Sequence, residues 1–365
     1  MVRNLPKGMG VVLVTNHADE TDFKVCIELS RILNRHFLYM MNREAFSEGF
    51  GTAGFWLQRL GAFSVERGGD TAQAKQYAVD VVKGGKDVLV VFPEGEIYYL
   101  NDIVQPFKTG AAGIALEAII EKRKTKAEWS ASLVPMAIKY HYRGSIAGEL
   151  EARVRRLENR LSKAIATQGM KERLGLIVAE LLKRKELANN LKAGSARLNE
   201  LDARVQEVQL GILEQMEKKY PDVVAAPKAE TLARSWRLSA HLRDLLDKAS
   251  LEKTHKIEKL RSELAEMKHV AEMVSWQPQY LDIDPSEERM AEMVLKLERE
   301  IYGIKRPHQL GMRDVYVRLG APIDLAAFVA DFEKDARGTR RVVTEKLKTT
   351  IQSLLDDIEA QVRRS

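Results

Sequence analysis

Near residue 149 the hydrophobic pattern of this chain changes period, and that change separates a part built for a sheet from a part that cannot form one. Before it, short apolar runs alternate with helical stretches. Gly10-Val11-Val12-Leu13-Val14-Thr15 and Asp87-Val88-Leu89-Val90-Val91-Phe92 are continuous apolar runs, the type buried on both faces of a sheet. Residues 36–41, 62–66 and 131–140 read as further strands, and residues 22–33, 71–83 and 110–122 as helices. Residues 45–60, interrupted by Gly49, Gly51 and Gly54, read as a short helix ending near Gly61. Strands separated by helices predict an α/β fold with a mixed, largely parallel sheet flanked by helices. Pro135 lies inside one strand run and has no N–H to donate, which predicts an edge or strand-start position.

After Glu149 the period becomes helical. Leu150, Val154, Leu157, Leu161 and Ile165 follow one another at three- and four-residue steps, with Arg and Glu between them. This predicts long amphipathic helices folded into hairpins or a short coiled coil. Breaks fall at Ala193-Gly194-Ser195, at Tyr220-Pro221 and across residues 276–285. Val315-Tyr316-Val317-Arg318-Leu319 then alternates like a strand, and a last helix from about Thr339 carries Leu347, Ile351, Leu354 and Ile358. A lone strand after a helical block marks an insertion. The expected organisation is residues 1–148 plus 311–330 as one domain, 149–310 as an inserted coiled-coil-like subdomain, and 331–365 as a C-terminal amphipathic helix. The Arg-rich start of the insertion (Arg153, Arg155, Arg156, Arg160) fits either anionic headgroups or a salt-bridged face. Trp276 and Tyr280 fit either an interfacial anchor or a packed corner, and the long helices offer a surface for a homodimer.

The 58 basic residues exceed the 52 acidic ones by only six. That excess suits an anionic membrane surface or phosphate-bearing substrates without selecting between them. Aromatics make up 7% of the chain and no basic tract is interleaved with them, so nucleic acid is not an expected partner. The single cysteine, Cys26, excludes an internal disulfide and any zinc cluster built on cysteines, and fits a reducing compartment. Its apolar surroundings read as a core thiol. No run of about 18 apolar residues occurs, so no segment reads as a membrane span. Contact with lipid would be peripheral, and the expected location is cytoplasmic, at the inner face of the membrane.

The residues able to do chemistry follow strands, where ligands of α/β sheets bind. Asn16-His17-Ala18-Asp19-Glu20-Thr21-Asp22 follows the first apolar run. On one regular helix a five-residue spacing points two side chains about 140° apart. His17 and Asp22 can therefore pair only if His17 is in the loop and Asp22 in the first helical turn. A carboxylate on one imidazole nitrogen prepares the other as a general base. The same heptapeptide also fits a favourable first-turn carboxylate beside an unrelated loop histidine. Phe92-Pro93-Glu94-Gly95-Glu96 follows the strongest strand and reads as a turn presenting Glu94. Gly61-Ala62-Phe63-Ser64-Val65-Glu66-Arg67-Gly68-Gly69 sets a guanidinium beside open backbone, fit for a phosphate or for solvent.

In this order, these segments resemble the four motifs of the lysophosphatidic-acid and glycerol-3-phosphate acyltransferase family. His17 and Asp22 match its His-x-x-x-x-Asp motif, Gly61 and Arg67 the second, Phe92 to Gly95 the third, and Val134-Pro135 the fourth. Residues 106–112 and 317–324 fit as well. The resemblance implies an O-acyltransferase in phospholipid biosynthesis that uses an acyl thioester, acyl-CoA or an acyl-carrier protein, with no metal and no cofactor. It makes His17 the general base, oriented by Asp22, and places Gly61, Arg67, Glu94, Gly95 and Pro135 around the substrate. The implied acceptors are 1-acylglycerol-3-phosphate and glycerol-3-phosphate. The third motif departs from the family, having Glu96-Ile97-Tyr98 where relatives often carry Thr-Arg-Ser. Asn42 also stands where relatives commonly have Lys. Both changes bear on a phosphate-bearing acceptor and leave the acyl-transfer residues in place. The other readings are a degenerate acyltransferase-fold scaffold whose helices mediate membrane or protein contacts, and a thioesterase with water as acceptor.

Overall fold

The computed structural model describes residues 5–46, 52–161, 169–194, 197–223, 230–251 and 256–363; Gly49, Gly51, Ile165 and Ser195 lie outside them. Two compact units are present: Met1–Tyr140 with Val315–Ser365, and His141–Asp314.

The first unit is a sheet covered by helices. Among the described residues its strands are β1 (Gly10–Thr15), β2 (Phe37–Asn42), β3 (Ala62–Val65), β4 (Val88–Val91), β5 (Ala131–Tyr142), β6 (Arg313–Leu319) and β7 (Ile323–Asp324). They lie in the order β3-β2-β4-β1-β5-β6, with β7 also on β5. The first five pair in parallel and β7 pairs antiparallel, so the sheet is mixed and largely parallel, as expected. Between the strands run α1 (Asp22–Leu33), α2 (Arg43–Phe46), α3 (Thr52–Arg59), α4 (Ala72–Gly84) and α5 (Gly110–Arg123).

The continuous apolar runs have a direct structural cause. Val12 and Val14 face one core, shared with α4 and α5, while Val11 and Leu13 face another, shared with α1 and β2. A strand covered on both sides has no polar face to show. For the same reason α5 is apolar nearly all round, burying Ala111, Ala112, Ile114, Ala115, Leu116, Ala118 and Ile119. Cys26 is fully buried, and burial raises its thiol far above the ordinary range, as a core thiol requires.

Pro135 is not at an edge. It sits inside β5, opposite Val14 of β1, and is buried. Its carbonyl accepts from Gly320 N–H at 2.8 Å. On that side β6 has ended at Leu319 and β7 has not begun. The missing proline N–H therefore falls where the neighbouring strand is interrupted, and costs no ladder bond.

After β7 come α13 (Val329–Lys334) and α14 (Ala336–Val362), numbered after α6 to α12 of the second unit. Helix α14 belongs to the sheet unit. Its Gln352 donates to the Asp102 carbonyl and accepts from Val104 N–H, and its Glu359 pairs at 2.9 Å with buried Lys139 of β5, which also binds Asp102.

The second unit is helical: α6 (Ala147–Arg160), α7 (Met170–Ala188), α8 (Leu201–Lys219), α9 (Thr231–Leu251), α10 (Ile257–Glu272), α11 (Tyr280–Ile283) and α12 (Glu287–Tyr302). These helices share one apolar core. Buried bidentate pairs tie Arg173 to Glu158 and Arg204 to Glu186, satisfying guanidinium and carboxylate together. Arg153 is buried too, held by Glu149, Glu298 and the carbonyls of His308 and Gln309. Arg155 and Arg156 pair with Glu151 and Glu149. Three of the four arginines of this stretch are therefore salt-bridged. Trp276 and Tyr280 are both buried, with Arg289 over the Tyr280 ring; they form a packed corner.

Candidate active site

The parallel strands end on the same side of the sheet, and the loops that follow β1, β3 and β4 carry the polar residues. His17 is in the loop after β1 and Asp22 opens α1. His17 Nδ1 lies 2.8 Å from Asp22 Oδ2. The five-residue spacing is thus resolved as loop plus first turn, the one arrangement that lets the pair meet.

Asp22 is fully buried, and a buried carboxylate needs donors. It accepts from Asp19 N–H at 3.0 Å and from the Tyr140 hydroxyl at 2.6 Å, besides His17. The first-turn position adds the favourable end of the helix dipole. Asp19 in turn accepts from Thr21 N–H at 2.9 Å, closing the loop. With Nδ1 donating to Asp22, Nε2 of His17 is left as the nitrogen with the lone pair. The imidazole stacks on Phe92, centroids 4.3 Å apart, and the side chain is 19% exposed. It is both held and reachable.

Beyond the end of β1, two side-chain amides continue the sheet. Asn16 gives and takes 2.9 Å bonds with the backbone of Ile138, and Asn101 does the same for Tyr140 at 2.7 and 2.8 Å. The orphan backbone groups of β5 are satisfied in this way, and the Tyr140 ring is fixed toward Asp22.

Glu94 follows β4 in a tight turn. Gly95 there has φ +75°, a region that disfavours side chains, and its N–H reaches the Phe92 carbonyl at 3.2 Å. Glu94 is 2% exposed, and its carboxyl accepts from His17 N–H at 3.3 Å. Burial first, then repulsion from Asp22, pushes its pKa up to about 8, against the lowering effect of the N–H donors of His17 and Gln105. At neutral pH this carboxyl keeps its proton. The folded pKa is raised, so its contribution to stability is complete below the ordinary value of 4.5. That contribution is lost as pH rises toward about 8. Relative to Glu94→Gln, the wild type is expected to lose stability across that window by at most about 1.4 kcal/mol per pH unit, measured by denaturant unfolding at stepped pH. A flat difference between the two proteins would show that Glu94 is ionised in the fold.

Arg67, in the loop after β3, pairs with Glu96 at 2.5 Å, and Glu96 also takes the Ile97 N–H at 3.1 Å. The residue that departs from the family pattern is therefore the one that engages this arginine. Tyr99 donates to Glu20 at 3.0 Å, a second tie between the loops after β4 and β1. Gly61 is elsewhere, at the amino end of β3. Its φ of +87° and the Phe37 carbonyl 2.5 Å from any added Cβ demand glycine. Pro135 is inside the sheet, as described above. Tyr140, Asn16 and Asn101 carry weight that no spacing announced; a polar run, Lys139-Tyr140-His141, closing an apolar strand was the available signal. No group of three or more His, Cys, Asp or Glu among the described residues is placed to hold a metal ion.

Residues 2–139 match the family model described as Acyltransferase. They form an acyltransferase-family domain. A curated 1-acyl-sn-glycerol-3-phosphate acyltransferase of Streptococcus pneumoniae (strain ATCC BAA-255 / R6) is 33% identical over 81 residues. That alignment spans 22% of this chain and 28% of the relative. No solved structure matches the chain. The matched segment thus holds His17, Asp22, Arg67 and Glu94, and ends one residue before Tyr140. No helix among the described residues is long and apolar enough to cross a membrane.

Proposed function

We propose that the acyltransferase domain moves a fatty-acyl group from a thioester, acyl-CoA or an acyl-carrier protein, to a hydroxyl of a glycerolipid-type acceptor. The observation that carries this reading is the His17–Asp22 pair at the carboxyl end of β1, with Nδ1 engaged and Nε2 left to act. His17 takes the acceptor's hydroxyl proton as its oxygen attacks the thioester carbonyl. The C–S bond then breaks and the imidazolium returns the proton to the thiolate. Asp22 holds the ring and its tautomer. Neutral Glu94 offers a hydrogen bond without a charge, and Gly95 shapes the turn beside it. This chemistry calls on no metal or cofactor. Gly61 and Pro135 receive framework roles in this reading.

The relative's name and the family resemblance make 1-acylglycerol-3-phosphate and glycerol-3-phosphate the first acceptors to try. A phosphate reaching Arg67 must compete with Glu96, at a cost of about 1 kcal/mol or more for like charges a few ångströms apart. Glu96→Ser is therefore expected to lower the KM for glycerol-3-phosphate about tenfold, with kcat nearly unchanged. An unchanged KM would mean that Arg67 does not meet the phosphate.

The reading itself is tested by giving radiolabelled acyl thioester, on each carrier, to wild type and His17→Ala with membrane lipid and glycerol-3-phosphate. Labelled lipid made by the wild type alone supports it, and the product names the acceptor. Free fatty acid alone would indicate a thioesterase. No turnover of intact thioester by either protein would indicate a scaffold.

A further inference from the structure

Helix α3 has one face built into the sheet unit and one that is not. Gly54 is buried, and a Cβ there would meet the Phe46 carbonyl at 2.8 Å. Leu57 packs against the core on the α1 side. The opposite face carries Phe55, Trp56 and Leu60, which are 51%, 61% and 43% exposed. At helical spacing these lie side by side: Phe55 over Arg59, and Trp56 over Leu60. The two rings meet edge to face with centroids 5.4 Å apart, and the Arg59 guanidinium lies 4.0 Å from the Phe55 centroid. No Asp or Glu occurs between Thr52 and Gly61. Among the described residues, the other large apolar side chains exposed on this unit, Ile32, Tyr77, Val315 and Val342, stand on separate elements.

We propose that this face of α3 is where the protein docks on a lipid bilayer carrying anionic headgroups. An exposed Trp–Phe–Leu patch costs free energy in water, and a rigid helix presents it outward instead of folding it away. Tryptophan has an apolar body and a polar N–H, the combination that settles at headgroup level. Arg59 supplies the opposite charge to a lipid phosphate, and the absence of any carboxylate on the helix removes the repulsion that a bilayer surface would otherwise meet. The inference concerns binding alone and does not depend on the chemistry assigned to His17.

The test uses the full chain and vesicles of phosphatidylcholine, with and without about a third phosphatidylglycerol. Of the four tryptophans, Trp129 and Trp276 are buried and Trp236 is half-buried. Trp56 therefore dominates any emission change on docking. Anionic vesicles are expected to shift the emission to the blue, and brominated acyl chains to quench it. The double variant Phe55→Ser/Trp56→Ser is expected to lose vesicle partitioning about tenfold or more. Arg59→Gln should lose the preference for anionic vesicles, and His17→Ala should bind as the wild type does. Phe55, Trp56 and Arg59 are exposed, and thermal melting of each variant checks the fold. Emission indifferent to vesicles, or wild-type partitioning by the double variant, would overturn the proposal. So would a dimer in solution, seen by light scattering, that the double variant abolishes, because a second copy would then be the occupant.

Discussion

Replacing His17 with Ala is expected to lower acyl transfer by about three orders of magnitude, the scale of a lost general base, while leaving the protein folded. The fold should survive because little else leans on the imidazole. Asp22 keeps its bonds from Asp19 N–H and the Tyr140 hydroxyl, and Glu94 takes its bond from the His17 backbone, which alanine retains. The cost is one hydrogen bond to a buried carboxylate and one ring stacked on Phe92, about 1–3 kcal/mol. The loss should therefore appear in kcat, with the KM for the thioester nearly unchanged, because the base acts on the acceptor's proton in the transition state. Single-turnover transfer from labelled thioester separates the two. A variant with more than about a tenth of wild-type kcat would show that another group takes the proton.

The sheet was legible because its inner strands obey a simple rule. β1 and β4 are covered on both faces, so their residues are apolar without alternation, and β1 divides its valines between two cores. Helix α5 was legible for the same reason. The His17–Asp22 geometry was half legible: the spacing allowed a single way to meet, and the structure adopts it. What periodicity could not supply were contacts between residues far apart in the chain. Tyr140 reaches Asp22 across 118 positions, and Glu96 reaches Arg67 across 29. Neither follows from a local pattern. Pro135 misled for a related reason. Whether a proline sits at an edge depends on its neighbouring strand, and the interruption between Leu319 and Ile323 lies nearly 200 residues away in sequence. Trp276 and Tyr280 likewise read two ways until the core around them was known.

Asp22→Asn is expected to cost about 10²-fold in kcat, less than the roughly 10⁴ seen where the same exchange reverses a catalytic histidine's tautomer. The difference follows from the partners of Asp22. One oxygen, Oδ2, accepts from both His17 Nδ1 and Asp19 N–H, and the other accepts from the Tyr140 hydroxyl. An asparagine that turned its amide nitrogen toward His17 would press it against the Asp19 N–H, donor against donor. Turned the other way, it keeps its oxygen toward His17 and Asp19, and its nitrogen donates to Tyr140. A phenol can accept, and it can give its own proton to the Thr21 hydroxyl 3.0 Å away. The tautomer is therefore preserved and only the charge is lost. That charge is what stabilises the imidazolium formed during transfer, and bonds to an ionised acceptor are roughly twice as strong as neutral ones. One signature separates this account from simple damage. Adding Tyr140→Phe to Asp22→Asn should then destabilise the fold by about 1–3 kcal/mol, since the new amide is left buried without an acceptor. A loss near 10⁴ would mean that the asparagine had chosen the other orientation, and that the Asp19 N–H does not govern how this side chain sits.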